Sequence, residues 1–366
     1  MIGKLVFKDG SIFEGESFGA LLSRAGEVVF NTGMVGYPES LTDASYVGQI
    51  LILTYPLIGN YGVPDKKYWE SDSIKISGLI VSNYINTPSH FQSRQTLSSW
   101  LKKSKVPALE IKDTRFLTQK IREKGVMLGK IVINKNISFY DPNKDNLVAL
   151  VSTKKIIYEP PLASPSLTWQ GKTVILVDCG TKRNIIRSLL KRHIKVITVP
   201  WDFDPFENTH LGRWRSNDFD SSEVNKFDGI VISNGPGDPK MAKTTIATVK
   251  KALAKNIPTL GICLGHQLLA LAAGGDTYKL KFGHRSQNQP CIQEGTNRCF
   301  ITTQNHGFAV GKIPRGFKPW FTNANDGSNE GLIHEKLPFM SVQFHPESTP
   351  GPYDTEWIFD YFLKKL

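Results

Sequence analysis

The second half of the chain alternates between short apolar runs and segments with helical spacing. The apolar runs are nearly continuous, which predicts strands buried on both faces of a sheet. These runs cover residues 173–177, 195–199, 230–233 and 258–262. The segments with helical spacing cover residues 184–193, 244–254 and 268–273. This alternation predicts an α/β fold, with a parallel sheet covered on both sides and an active site at the carboxyl ends of the strands.

The first half of the chain has a less regular pattern with many Gly and Pro turns. Residues 1–10 are typical of a strand that enters a turn, and they are too short and too charged for a signal peptide. The clearest helices cover residues 95–102 and 114–123, the second with Asp113 as its N-cap. We therefore expect a mixed α/β domain in this half.

A proline-rich segment separates the two halves. Residues 158–166 combine prolines with small side chains, which favours an extended linker. The predicted organisation is a first domain over 1–157, a linker over 158–171 and a second domain over 172–366, as a chain of this length leads one to expect. The acidic and aromatic segment 201–223 lacks a clear period and is predicted to be a surface insertion.

The most informative motif is a cysteine between two glycines at the end of an apolar run. The run leads into Gly261-x-Cys263-x-Gly265, and a helix-like segment follows at once. This is the cysteine counterpart of the nucleophile elbow, a sharp strand-to-helix turn that exposes a nucleophile. Glycines allow the turn without a Cβ clash, and the amide of Leu264 is placed to stabilise an oxyanion. A buried structural cysteine is the alternative, but flanking glycines at an element boundary favour catalysis.

A nucleophilic cysteine needs a base that takes its proton and passes it to the leaving group. The best candidate is His345, which ends an apolar run and is followed by Pro346 and Glu347. Glu347 could orient the imidazole or stabilise its cation, giving a Cys–His–Glu order like that of the α/β-hydrolases. His266 is expected to support the elbow rather than reach the sulfur. His306 lies in a predicted polar loop that either contacts substrate or makes a tight turn.

The sequence contains no phosphate-binding loop, no dinucleotide fingerprint and no metal-binding spacing. Residues 233–239 form a glycine-rich turn after a strand, which is either purely structural or completes an oxyanion hole with its amides. The predicted chemistry is therefore acyl transfer to sulfur without a cofactor.

Composition and charge narrow the class of protein. Apolar residues make up 40% of the chain, and no apolar run approaches the roughly 20 residues of a membrane span. The four cysteines lack the spacing of a disulfide scaffold, which predicts reduced thiols in the cytoplasm.

The net charge of +12 raises the question of nucleic-acid binding. The densest basic stretch, residues 182–195, is interleaved with apolar positions at helical spacing, which predicts the solvated face of a helix. We expect neither nucleic acid nor membrane as a partner, and favour an acidic protein surface.

Together these motifs resemble the class I, or triad, glutamine amidotransferases. The resemblance implies that Cys263 is the nucleophile, His345 the general acid and base, and Glu347 the orienting carboxylate. In that family these groups hydrolyse glutamine through a γ-glutamyl thioester, releasing ammonia and then glutamate. The implied fold is a parallel-sheet class I glutamine amidotransferase domain at the C-terminus, preceded by a mixed α/β domain.

The rest of the chain resembles the carbamoyl-phosphate synthase small chain, including an N-terminal domain that other amidotransferases lack. The segments that carry this resemblance are residues 8–10, 13–15, 26–37, 41–43, 45–46, 59–62, 113–115, 278–285 and 351–355. The resemblance implies that both domains contribute to glutamine binding. The implied binding residues are Ser45, Gly235, Gly237, Leu264, Gln267, Asn305, Gly307 and Phe308. The chain departs from the family pattern at Ala44, His193 and Thr303, where proline, glycine and serine are usual.

The resemblance also implies a partner, because the family's small chain passes ammonia to a large ATP-using chain that makes carbamoyl phosphate for arginine and pyrimidine synthesis. By this resemblance the chain is a cytoplasmic subunit of a heterodimer that binds no cofactor itself, with ATP and Mg²⁺ on the large chain. The alternatives are a glutaminase subunit of another synthase, a stand-alone thiol amidase, or an inactive scaffold. The N-terminal segments argue against the first two, and intact Cys263, His345 and Glu347 argue against the third.

Overall fold

A computed structural model describes most of the chain, in two compact units. The described residues are 1–160, 171–207 and 226–366. The units consist of Met1–Leu147 with Lys281–Gln287, and of Val148–Leu280 with Asn288–Leu366. The predicted domain boundaries at 157 and 171 stay a prediction, because residues 161–170 of the predicted linker lie outside the described residues.

Strands of the first unit close into a barrel. They are β1 (Ile2–Phe7), β2 (Ile12–Ser17), β3 (Arg24–Asn31), β4 (Gln49–Leu53), β5 (Gly78–Val81), β6 (Ala108–Glu110) and β7 (Met127–Val132). Their order around the barrel is β1-β2-β6-β5-β4-β3-β7, and the neighbours from β3 to β6 run parallel. The helices of this unit are α1 (Tyr37–Thr42), α2 (Leu97–Lys103) and α3 (Thr114–Lys124). The mixed α/β character predicted for this half is confirmed.

Both sides of the barrel wall carry apolar side chains, because successive residues of a strand point to opposite faces. Ile50 of β4 belongs to the same apolar cluster as Ile121 of α3. Its neighbour Leu51 belongs to a different cluster, with Leu97 of α2. Alternate residues of one strand therefore pack against different helices through apolar contacts.

Helices α2 and α3 begin at side-chain caps. The carboxylate of Asp113 accepts a hydrogen bond from the amide of Phe116 at 2.8 Å, and the hydroxyl of Thr96 accepts one from the amide of Ser99 at 3.2 Å. Each oxygen satisfies an amide that has no partner within its helix. The N-cap predicted at Asp113 is confirmed.

The second unit is built around a ten-stranded sheet. Its strands are β8 (Ile157–Glu159), β9 (Thr173–Asp178), β10 (Lys195–Pro200), β11 (Gly229–Ile232), β12 (Thr259–Ile262), β13 (Asp276–Gln293), β14 (Cys299–Lys312), β15 (Phe317–Asn323), β16 (Asn329–His334) and β17 (Phe339–Val342). Its helices are α4 (Leu147–Val151), α5 (Arg183–Leu190), α6 (Lys243–Ala254), α7 (Leu264–Ala272) and α8 (Trp357–Leu363). Two of these elements cross the division, since the middle of β13 and the first residue of α4 belong to the first unit.

The centre of this sheet is parallel, as the sequence predicts. The strand order is β14-β13-β15-β16-β17-β12-β11-β9-β10-β8, and the neighbours from β17 to β10 are parallel. The four apolar runs predicted as strands are β9, β10, β11 and β12. The three predicted helices correspond to α5, α6 and α7, and α7 begins four residues earlier than its predicted start.

Helices cover both faces of the parallel strands. Ile175 of β9 belongs to an apolar cluster with Leu268 of α7. The preceding residue, Val174, belongs to the opposite cluster, with Leu189 of α5 and Phe359 of α8. The predicted doubly covered sheet is therefore confirmed.

The start of the predicted linker is a strand. Residues 157–159 form β8, which pairs antiparallel with β10 at the edge of the sheet. The prediction of an extended linker was therefore wrong for Tyr158 and Glu159, because a short edge strand depends on a distant partner and carries no periodic signal of its own. Residues 208–225, most of the predicted insertion, lie outside the described residues.

The described helices are short compared with a bilayer. A spanning helix needs roughly 20 apolar residues, and α6, one of the longer helices, has 12. None of the helices in the described ranges is long and apolar enough to cross a membrane.

We expect Lys105→Gly to raise the free energy of unfolding by about 0.5 kcal/mol. Lys105 follows the C-cap of α2, Ser104, with φ at 55°, while the amide of Val106 donates to the carbonyl of Leu101 at 2.9 Å. Relief of a left-handed non-glycine residue, about 1–2 kcal/mol, exceeds the entropic cost of a new glycine, about 0.4–1 kcal/mol. Urea denaturation would measure the change.

The matched control is Lys102→Gly, one turn earlier on the same helix. That position is helical, so glycine there should lower stability by up to about 1 kcal/mol. Equal effects of the two substitutions would contradict the assignment of strain to Lys105.

Candidate active site

The pairing of β12 with β17 brings the predicted cysteine and histidine to one edge of the sheet. The two strands are parallel, with Ile262 opposite Val342. The amide of Cys263 donates to the carbonyl of Val342 at 2.8 Å. Both Cys263 and His345 therefore lie just beyond the carboxyl ends of these strands, which is the edge where open α/β sheets bind ligands.

Cys263 occupies the turn between β12 and α7 in a strained conformation. Its φ is 54° and its ψ is −101°, a region that residues other than glycine rarely adopt. The flanking glycines allow close backbone packing instead. A Cβ on Gly265 would collide with the carbonyl of Ile232, and a Cβ on Gly261 would collide with the carbonyl of Gly265. The predicted elbow is present, with its positive φ on the cysteine rather than on the glycines.

His345 and Glu347 form a buried hydrogen-bonded pair. Nδ1 of His345 lies 2.6 Å from Oε1 of Glu347, and the two side chains are 1% and 0% exposed. The amide of His345 donates to the carbonyl of Thr303 on β14 at 2.9 Å, which fixes the chain beyond β17. Because Nδ1 faces the carboxylate, Nε2 is the nitrogen left for the thiol of Cys263.

A buried lysine joins this pair. Nζ of Lys182 lies 3.1 Å from Oε1 of Glu347 and donates to the carbonyl of Ser348 at 2.7 Å, and the lysine side chain is 2% exposed. The amide of Lys182 donates to Oδ1 of Asn234 at 2.9 Å, which holds it beyond the end of β9. The prediction that Lys182 lies on the solvated face of a helix was therefore wrong.

These groups stabilise one another's charges. Burial opposes a charge on His345, but the Glu347 carboxylate and the Cys263 sulfur outweigh it and raise the pKa of the imidazole above its ordinary value. Burial likewise opposes a charge on Glu347, yet the Lys182 ammonium and the His345 imidazole hold the pKa of that carboxyl below its ordinary value. The arrangement favours an imidazolium beside a carboxylate, which can hand a proton to a leaving group.

His266 supports the helix, as expected from the sequence. Its Nδ1 lies 2.9 Å from the hydroxyl of Ser341, which ties α7 to β17. Burial lowers the pKa of His266 to about 3, so the ring is neutral near pH 7.

The turn after β11 lies against the elbow. A Cβ on Gly235 would collide with the carbonyl of Cys179 and press on the side chain of Leu264, so only glycine fits there. Leu264 is the first residue of α7, and amides at a helix start have no partner within the helix. Gly237 lies in the same turn with φ at 87°. This proximity is what the predicted oxyanion hole requires.

Strand β14 passes beside the sulfur. Sγ of Cys263 lies 3.7 Å from the carbonyl oxygen of Asn305. Three residues along the strand, the carbonyl of Phe308 accepts a hydrogen bond from Nε2 of Gln267 at 2.8 Å. Gly307 lies between these two contacts, so the segment 305–308 runs alongside the first turn of α7.

His306 lies within β14, so the prediction that it belongs to a loop was wrong. Its Nδ1 lies 2.8 Å from the carbonyl oxygen of Phe308, and its Nε2 lies 3.0 Å from Oε1 of Gln304. The side chain of His306 is 2% exposed. It therefore holds the segment 305–308 in place from both ring nitrogens.

The residues implied to bind glutamine are divided between the units. Those of the second unit that surround the elbow are Gly235, Gly237, Leu264, Gln267, Asn305, Gly307 and Phe308. Ser45 lies in the first unit, in the 3₁₀ turn Ala44–Tyr46, where its amide donates to Oδ1 of Asp43 at 2.9 Å. The binding roles of all eight stay predictions.

Two buried polar side chains that contact residues of the site were missed in the sequence analysis. One is Lys182, and the other is Gln343, whose Oε1 accepts from Nε2 of Gln267 at 3.0 Å. Each follows the carboxyl end of a parallel strand, where α/β sheets place functional groups. That position in the pattern is the signal that could have found both.

Comparison with known proteins agrees with this geometry. The family described as Glutamine amidotransferase class-I matches residues 175–365. The family described as Carbamoyl-phosphate synthase small chain, CPSase domain, matches residues 5–131. The two matches fall on opposite sides of the proline-rich segment.

Similar proteins occur both as separate chains and as parts of longer ones. The Carbamoyl phosphate synthase small chain of Pyrococcus furiosus is 45% identical over 383 residues, covering 100% of this chain and 97% of that protein. Multifunctional protein CAD of Squalus acanthias is 51% identical over 98% of this chain, which spans 16% of that protein's length. The mitochondrial Carbamoyl-phosphate synthase [ammonia] of Mus musculus is 45% identical over 99% of this chain, which spans 23% of that protein.

The fold and the site thus define a protein with a class-I glutamine amidotransferase domain. This chain belongs to the family of carbamoyl-phosphate synthase small chains. The resemblance inferred from its motifs is confirmed. The chain covers only 16% of the length of the multifunctional relative from Squalus acanthias and 21% of that from Neurospora crassa.

We expect Lys182→Met to destabilise the protein by about 3 kcal/mol or more, because it leaves the Glu347 carboxylate buried without its ammonium partner. Urea denaturation at neutral pH would measure the loss. The control is Lys251→Met, which removes the partner of Asp204 at a side chain that is 41% exposed. Exposed pairs contribute little, so comparable losses in the two variants would contradict the buried-pair account.

The stability of the protein should depend on pH through His345. Its pKa is raised on folding, so its stabilisation is fully present below its unfolded value of 6.5 and is lost as pH rises from there through the folded value. Glu347 acts with the opposite sign, because its lowered pKa gives a stabilisation that is present above 4.5 and lost as pH falls through the folded value.

The measurement compares unfolding free energies of the wild type and His345→Gln between about pH 5 and pH 9. The advantage of the wild type should be largest at the acidic end and shrink above pH 6.5. A difference that stays constant over this range would show that His345 does not fold as an imidazolium.

Proposed function

We propose that this chain hydrolyses glutamine through a thioester on Cys263 and delivers the ammonia for carbamoyl phosphate synthesis. The observation that carries the proposal is the buried array of Cys263, His345 and Glu347 at the carboxyl ends of β12 and β17. The family to which the chain belongs supports the choice of glutamine as substrate.

In the first half-reaction the thiolate sulfur of Cys263, paired with the imidazolium of His345, bonds to the γ-carboxamide carbon of glutamine. The electrons of the carbonyl double bond move to its oxygen, where the amides of Leu264 and Gly235 stabilise them. The imidazolium then gives its proton to the carboxamide nitrogen. The C–N bond breaks, ammonia leaves, and a γ-glutamyl thioester remains.

In the second half-reaction water replaces ammonia. Nε2 of His345 takes a proton from water while the oxygen bonds to the thioester carbon. The C–S bond then breaks, its electrons return to the sulfur as a thiolate beside the imidazolium, and glutamate leaves. Throughout, Glu347 keeps the imidazole oriented and its cation stable, and Lys182 keeps Glu347 ionised.

The ammonia is passed to a large chain that uses ATP. Ammonia set free in water at neutral pH would be protonated, and ammonium is not a nucleophile. Transfer between bound chains keeps the ammonia unprotonated until it reacts. The Pyrococcus furiosus relative is named as a small chain, which supports such a partner. The proposed assembly is a heterodimer in the cytoplasm, with ATP and Mg²⁺ on the large chain and no cofactor, nucleic acid or membrane bound by this one.

We expect Cys263→Ser to lower the rate of glutamine hydrolysis by about 10³-fold or more, because a hydroxyl is a far weaker nucleophile than a thiolate. Glutamate release would be measured for the chain alone and with a large chain. The mixture should also synthesise carbamoyl phosphate from glutamine, bicarbonate and ATP.

The matched control is Cys299→Ser, since Cys299 is the exposed free cysteine of the chain. It should retain the wild-type rate. Undiminished hydrolysis by Cys263→Ser would refute the nucleophile assignment. Hydrolysis without carbamoyl phosphate synthesis in the presence of a large chain would favour a glutaminase for another synthase.

A further inference from the structure

Two acceptors fix the side-chain amide of Gln267. Its Nε2 lies 2.8 Å from the carbonyl oxygen of Phe308 and 3.0 Å from Oε1 of Gln343. A backbone carbonyl can only accept, so the group of Gln267 that faces it must be the NH₂ group. Both hydrogens of that group are then used, and the second one requires an acceptor on Gln343.

The side chain of Gln343 supplies that acceptor and little else. It is 0% exposed, and within the described ranges its own Nε2 makes no hydrogen bond. Its backbone amide donates to the carbonyl of Glu330 at 2.8 Å, which anchors it beside β16. Leaving a buried amide nitrogen unpaired is unfavourable, so this nitrogen does not account for the presence of Gln343. The atom that makes a hydrogen bond is Oε1, which accepts from Gln267.

Because both hydrogens on Nε2 of Gln267 are already donated, the orientation of its amide is fixed and its Oε1 remains able to accept a hydrogen bond. Gln267 lies one helical turn beyond Cys263, on the same side of α7. Among the described residues no hydrogen bond is donated to its Oε1. An amide oxygen binds only donors, and glutamine offers two, the α-ammonium group and the amide that is cleaved.

We propose that Gln343 is a positioning residue, which locks the amide of Gln267 so that Oε1 of Gln267 accepts a hydrogen bond from the α-ammonium group of the substrate. The charged ammonium group makes the stronger hydrogen bond of the two donors. It also lies several bonds from the reacting carbon, as Gln267 lies one turn from the sulfur. This inference rests on the proposed glutaminase function.

The first test compares Gln343→Met with Gln343→Glu. Methionine keeps the length but offers Gln267 only a weakly accepting sulfur, so KM for glutamine should rise about tenfold or more, with a smaller change in kcat. Glutamate keeps an oxygen at the position that is used and replaces only the nitrogen that has no partner, since burial without a cation keeps its carboxyl group protonated and uncharged. Its KM should stay within about threefold of the wild type. Equal KM values for Gln343→Met and the wild type would overturn the proposal.

The second test uses 4-carbamoylbutanoate, which is glutamine without its α-amino group. If Gln267 binds the ammonium group, Gln343→Met should raise KM for glutamine and leave KM for this analogue within about twofold of the wild-type value. A general loosening of the site would raise both KM values by the same factor. That result would overturn the positioning role.

The matched control is Ser341→Ala. Ser341 lies on β17, two residues before Gln343, and contacts His266 of α7, so the change removes a neighbouring hydrogen bond to the same helix without touching Gln267. KM for glutamine should remain at the wild-type value. A rise equal to that of Gln343→Met would show that the tie between the elements matters rather than the orientation of the amide.

A last measurement does not depend on activity. In ¹⁵N-labelled protein, the side-chain NH₂ signal of Gln267, assigned by its loss in Gln267→Glu, should exchange slowly with solvent. One of its hydrogens should exchange at least about tenfold faster in Gln343→Met and not in Gln343→Glu. Unchanged exchange would overturn the locking of the amide. Slow exchange in a protein that does not hydrolyse glutamine would instead reject the proposed function and retain the lock.

Discussion

The parallel pairing of β12 with β17 is the constraint on which the rest of the site depends. It places Ile262 opposite Val342 and ends both strands at the same edge of the sheet. One strand then turns into α7 at Cys263, and the other continues to His345. Backbone hydrogen bonds make this pairing, including that from Cys263 to Val342 at 2.8 Å, so the pairing of the strands does not depend on the catalytic side chains.

Beyond that edge the protein keeps charged groups where water hardly reaches. An isolated charge in such a place would be strongly unfavourable, and each one here has a partner of opposite sign. Glu347 lies between the ammonium of Lys182 and the imidazole of His345, at 3.1 Å and 2.6 Å. The partners shift the two pKa values in opposite directions, which allows proton transfer at neutral pH in a buried site. The same burial makes the site sensitive to the loss of any one partner.

The sequence revealed the parts of this site that have a local signature. The elbow at Cys263 was readable because glycines pack where no Cβ fits, and His345 with Glu347 was readable because a strand ends there. Lys182 was misassigned because a lysine beside a basic helix has the pattern of a surface residue. Its role depends on its contact with Glu347, which the sequence does not reveal. Gln343 was overlooked for a similar reason, since a lone amide within an apolar run has no pattern that marks its partner.

By itself, the sequence determined the alternation of strands and helices, the Asp113 cap of α3, the elbow and the family of the chain. Each of these follows from spacing within a few residues or from motifs that resemble known ones. Only the tertiary structure decided that β8 joins the sheet, that His306 lies in a strand, and that Lys182 faces Glu347. The physical reason is that strand pairing and burial depend on which segments meet in space. A periodic pattern predicts which face of an element is apolar, but it does not predict which other element packs against that face.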